Sequence, residues 1–149
     1  MKAKTKKSKC YTLHWKFMEP YNFFIVVATG PDIAGIRKEL RRDFDKSKAS
    51  DEPMPEEYLE ETEREFLNGG HLPAGRCIFN DRSDNIVIYC PKMQPSTFTI
   101  AHELYHAVRK SAKCFGFEGP GDEAEAYLFE RALEYFTEKL ANDRKKPTR

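Results

Sequence analysis

The chain has 149 residues, 33% of them charged and 40% hydrophobic, with 25 Lys and Arg against 24 Asp and Glu for a net charge of +1. That length supplies one domain with a real core, and that balance excludes a global field suited to nucleic acid, a membrane surface or an acidic substrate. No run of about eighteen apolar residues is present, and the Lys-rich start leads into Tyr11, His14 and Trp15 rather than the apolar stretch of a secretion signal, so a cytoplasmic location is expected.

In chain order, Lys2, Lys4, Lys6, Lys7 and Lys9 crowd one end, and Arg144, Lys145, Lys146 and Arg149 the other. Residues 1–9 and 143–149 therefore read as basic, solvated tails around a single domain over residues 10–142. Residues 11–17 alternate and are rich in aromatics, and 23–29 form a continuous apolar run, which predicts two strands. After Gly30, Pro31 suits a helix start, and Ile33, Ile36, Leu40 and Phe44 recur at helical spacing. Residues 51–66 are strongly acidic around a thin stripe of Tyr58, Leu59, Thr62 and Phe66, the pattern of a surface helix.

Residues 76–80 and 85–90 are short apolar and β-branched runs flanking Asp81, Arg82, Ser83 and Asp84, as in a hairpin with a four-residue loop. Ser96 or Thr97 can cap a helix running to about Phe115, with Gly116 as its stop signal. A last helix over about residues 122–141 is expected to bury Ala126, Phe129, Leu133, Phe136 and Leu140. Together these elements predict an α+β domain in which a small, mostly antiparallel sheet packs against helices. Cys10, Cys77, Cys90 and Cys114 form no C-x-x-C pair and read as reduced thiols.

Within TIAHELYHAV, His102 and His106 stand four residues apart, so on a helix they project from one face about 5–6 Å apart at Cβ. Two neutral imidazoles at that spacing can share one metal ion, and zinc suits them in a tetrahedral site that keeps a water. Ala101, Leu104, Tyr105, Val108, Ala112 and Phe115 gather on one side of this helix, which predicts that both histidines lie on its flank and border the core. Glu103 adjoins the pair without sharing its stripe, the placement of a general base. Zinc lowers the pKa of its water toward about 7, and such a carboxylate can take the proton and deliver it to a leaving amine.

No histidine follows His106, so a third ligand should be acidic. Asp122, Glu123, Glu125 and Glu130, near the head of the last helix, are the candidates, and Glu123 is preferred because Glu125 stands at a capping-box spacing from Asp122. His14 and His71 have no partner at ligand spacing and read as structural or surface residues. Arg109 and Lys113 continue the histidine stripe as solvated cations near a helix C-terminus, or as contacts for a substrate carboxylate.

HELYH followed by DEAEAYLFE resembles the gluzincin type of zinc metallopeptidase, in particular the compact ImmA/IrrE-like and phage-encoded domains. The resemblance covers roughly residues 76–136, including the interval from His102 to Glu123 (123 − 102 = 21). It implies a zincin-like active-site helix followed by a ligand helix, with zinc held by His102, His106 and Glu123, and Glu103 catalytic. Where that pattern often has Asp or Asn four residues after the glutamate, this chain has Tyr127, which either supports the site or an oxyanion or belongs to the core. The resemblance also makes residues 85–90 a candidate edge strand that pairs with an extended substrate, against the plainer reading of an interior strand.

The function expected on this basis is zinc-dependent hydrolysis of peptide bonds in a protein or peptide substrate, with a regulatory protein among the conceivable partners. The alternative is a non-catalytic zinc-binding or protein-interaction module on the same fold, using its acidic helix or basic tails. Neither reading involves a membrane or nucleic acid.

Overall fold

Residues 9–19, 23–47, 60, 64, 74–78, 86–114 and 123–145 are described by a computed structural model. β1 (Thr12–Met18) and β2 (Phe23–Thr29) are antiparallel neighbours, with Thr12 opposite Thr29 and Met18 opposite Phe23. β2 leads into α1 (Ile33–Ser47) through Gly30, whose φ of 121° favours glycine and whose missing side chain leaves room for the Cys10 carbonyl. The helix is capped by Asp32 rather than started by Pro31: the Asp32 carboxylate accepts the Gly35 N–H at 2.9 Å, and its carbonyl accepts the Ile36 N–H at 3.0 Å.

β3 (Arg76–Ile78) and β4 (Ile86–Cys90) pair antiparallel with Arg76 opposite Tyr89, as a hairpin requires; the expected loop at 81–84 lies outside the described residues. β4 also runs parallel to β2, with Ile25 opposite Ile86, so the order is β1-β2-β4-β3. The fold is α+β, and two of its three strand pairings are antiparallel. α2 (Thr97–Cys114) and α3 (Glu123–Arg144) complete it.

The two central strands are buried on both faces, which is why they are written as unbroken apolar runs. Ile25, Val27, Ile86, Ile88 and Cys90 meet Ile100, Leu104, Ala107 and Val108 of α2 and Leu128, Ala132 and Phe136 of α3. Val26, Ala28, Val87 and Tyr89 meet Ile33, Ile36 and Leu40 of α1 on the other side. β4 is therefore an interior strand and not the edge strand proposed to pair with a substrate; β3 is the edge of the described sheet next to it.

α2 lies over β3 and β4, and α3 reaches β1. The two helices run antiparallel: Arg109 pairs with Glu125, the rings of Tyr105 and Phe129 stand 6.4 Å apart, and the Arg144 guanidinium donates to the Pro95 carbonyl at 3.2 Å. The buried stripe of α3 is Leu128, Ala132, Phe136 and Leu140, while Ala126 is exposed and Phe129 and Leu133 are half-buried. The observed stripe is rotated from the expected one toward Leu128 and Ala132, which pack in the core with the sheet.

α3 continues to Arg144, two residues past the expected domain limit, and Asp143 bonds His14 of β1 at 2.5 Å. His14 is thus structural, as expected. Of the acidic segment 51–66, Glu60 and Arg64 are described, both with helical backbone, and Glu60 pairs with Arg37 of α1 at 3.0 Å; the rest of that segment and His71 lie outside the described residues. Among the described residues, no helix is long and apolar enough to cross a membrane.

Candidate metal centre

α2 starts where Ser96 makes it start. The Ser96 hydroxyl accepts the Thr99 N–H at 3.1 Å and its carbonyl accepts the Ile100 N–H at 3.1 Å, so Ser96 is the N-cap and sets the phase of every residue after it. Ile100, Leu104, Ala107, Val108, Ser111 and Ala112 are buried, while His102 and His106 are exposed. The core-facing arc is thus centred nearer Ala107 than expected. Tyr105, counted in the core by its aromatic character, is 52% exposed and leans on Phe129. The histidines consequently face away from the sheet instead of bordering the core.

Their Nε2 atoms stand 3.1 Å apart, with the rings 4.7 Å between centroids and nearly perpendicular. Two nitrogens each about 2.0–2.1 Å from one tetrahedral zinc would be separated by about 3.3 Å. The observed separation is close to that distance, and in this structure the two nitrogens share a hydrogen bond.

Glu103 turns to the adjacent flank, toward β3. It is 7% exposed, and a Cβ added at Gly75 would come within 2.8 Å of its Cγ and of Thr99 Cγ2. Gly75 therefore leaves the space that Glu103 fills. Glu103 is thus a buried acid on the β3 side of α2. Its charge reaches two thiols: burial first, and then the charge of Glu103, pushes Cys77 and Cys90 up to about 12. Both are free thiols.

The acidic candidates are less gathered. Glu123 is exposed at the first residue of α3, Glu130 is exposed farther along, and Asp122 lies outside the described residues. Glu125 is taken by Arg109, which reaches both of its oxygens at 3.3 and 3.2 Å, so Arg109 meets an internal carboxylate in this structure. Among the described residues, no three His, Cys, Asp or Glu side chains come together in a way that could hold a metal ion. The structure thus unites His102 with His106 and sets Glu103 on the neighbouring flank, but does not bring Glu123 to them.

Tyr127 is also apart from the pair. Its ring is 52% exposed, its hydroxyl accepts from Arg131 Nε at 3.1 Å, and it lines a groove of about 710 Å³ between the end of β1 and α3 whose walls include none of His102, Glu103 and His106. Three neighbours of the site escaped the sequence reading, Gly75, Cys77 and Cys90, because they adjoin Glu103 only through the β3–β4 pairing. No family model matches this chain, and no curated protein or solved structure matches it either.

Proposed function

We propose that this chain is a zinc-dependent peptidase of the cytoplasm, in which His102, His106 and an acidic residue, Glu123 by preference, hold the ion and Glu103 is the general base. The observation that carries this reading is the convergence of two imidazole nitrogens to 3.1 Å on one helix face. The burial of Glu103 on the adjacent flank supports it, because acids are seldom buried without a role. A zinc ion held there would acidify a water and polarise a peptide carbonyl. Glu103 would take a proton from that water and pass it to the departing amine nitrogen, so the peptide bond breaks with the water's oxygen left on the carbonyl carbon. An extended substrate would pair with β3, the described edge strand on the Glu103 side of α2.

A second reading, a non-catalytic module on the same fold, is favoured by the absence of a three-ligand group among the described residues. The two are separated by Glu103→Gln. The peptidase reading expects this variant to keep zinc while hydrolysis of an unfolded protein substrate disappears; hydrolysis that persists in a zinc-loaded variant ends it.

A further inference from the structure

β1 ends the described sheet, with β2 as its neighbour on one side. Two bonds fix where its backbone groups point. The Gly30 N–H donates to the Cys90 carbonyl of β4 at 2.9 Å, so along β2 the even-numbered residues direct N–H and C=O toward β4 and the odd-numbered ones toward β1. Those odd residues stand opposite Thr12, His14, Lys16 and Met18, which leaves Leu13, Trp15 and Phe17 with backbone groups turned off the sheet. The Tyr135 hydroxyl agrees with this direction, since it reaches from α3 to donate to the Trp15 carbonyl at 2.8 Å.

Two residues farther along, Phe17 presents the same outward groups at the groove of about 710 Å³ between the end of β1 and α3. A strand edge beside a helix is the setting in which an extended chain adds as a further strand, held by main-chain hydrogen bonds and selected through alternate side chains. The charges of the groove select among such chains. Its cations lie against rings of its own wall: Lys16 stands 5.0 Å from the centre of Tyr135, and Arg131 lies over Tyr127 and donates to its hydroxyl. Its carboxylates belong to the exposed residues Glu19, Glu134 and Glu138, the last two one helical turn apart on α3. Even with Arg131 at 3.8 Å from Glu134, acids outnumber cations there.

We infer that this groove binds an extended basic polypeptide segment, which adds to β1 at Phe17 and sets a Lys or Arg side chain against Glu134 and Glu138. Main-chain bonds to Phe17 supply the register, and the acidic side of α3 supplies the preference for a cation. None of His102, Glu103 and His106 lines the groove, so this partner site stands or falls separately from the zinc reading.

The test titrates the full chain into a fluorescein-labelled heptapeptide of alternating valine and lysine, read by anisotropy at physiological salt. Two further peptides carry backbone N-methyl groups, one on every valine and the other on every lysine, and a fourth has glutamate in place of lysine. Saturable binding is expected, weakened about tenfold by N-methylation of one alternate set and little changed by the other, and about tenfold by glutamate. Phe17→Pro, which removes an outward N–H at an edge position where proline is tolerated, should weaken binding similarly. Glu138→Lys, at an exposed position, should do the same and carries the test alone should Phe17→Pro unfold. No saturable binding, equal binding of the two methylated peptides, or binding that both variants leave intact overturns strand addition at this groove. A glutamate peptide that binds as well as the lysine peptide overturns the basic occupant.

Discussion

Among the described residues, histidine stands in two regions built on opposite terms. His14, in β1, is largely buried and has an acidic partner, Asp143, in the last turn of α3. The bond joins the sheet edge to the final helix, and Tyr135 adds a second tie there by donating to the Trp15 carbonyl at 2.8 Å. His102 and His106 are exposed, face each other, and take no carboxylate from the described residues. His14 is tied to another element of the fold, whereas His102 and His106 contact each other on an exposed helix face.

The sharpest way to break this contrast is at Glu103. With zinc bound, Glu103→Gln should lower kcat on a peptide by about 10²- to 10⁴-fold, the span of general-base catalysis, with little change in melting temperature. Next, Gly75→Val should reduce activity more than it reduces zinc affinity, because its side chain enters the space filled by Glu103 and Thr99; an unaltered rate would mean that Glu103 does not depend on that gap. At the structural histidine the pattern should invert. His14→Ala should cost about 1–2 kcal/mol in denaturant unfolding while zinc stoichiometry is unchanged.

Smaller effects belong to the far side of the sheet. Burial pushes the Glu39 carboxyl upward, but hydrogen bonds from Lys9 and Tyr11 and the charges of Lys9 and Arg42 outweigh it and hold the pKa below the usual value. Because the folded pKa is the lower one, the stabilisation is present above the ordinary carboxylate range and is lost as pH falls through the lowered value. The difference in melting temperature between wild type and Glu39→Gln should therefore be greatest near neutrality and shrink in acid. A difference that grows on acidification would contradict the assignment.

Local patterns were legible wherever one segment decides its own structure. The Ser96 cap, the apolar run of β2 and the four-residue spacing of His102 and His106 are all readable in the chain and recur in the fold. What could not be read was long-range. The parallel pairing of β2 with β4 places β4 inside the sheet and β3 at its edge, and nothing within 85–90 distinguishes an interior strand from a covered edge. The phase of α2 is long-range too: Tyr105 has core-like chemistry, but it contacts Phe129 of α3 and is half exposed, while Ala107 and Ser111 are buried. Small residues that permit close approach carry weak sequence signals. The seat of Glu103 over Gly75 is equally long-range, since it depends on α2 lying over β3.

Metal content decides the central claim most directly. Purified protein dialysed against zinc and then against metal-free buffer should retain one zinc per chain, and His106→Ala treated identically should retain almost none while unfolding at nearly the same denaturant concentration. Wild-type protein that emerges without zinc, or a His106→Ala variant that holds as much as the wild type, would contradict the account.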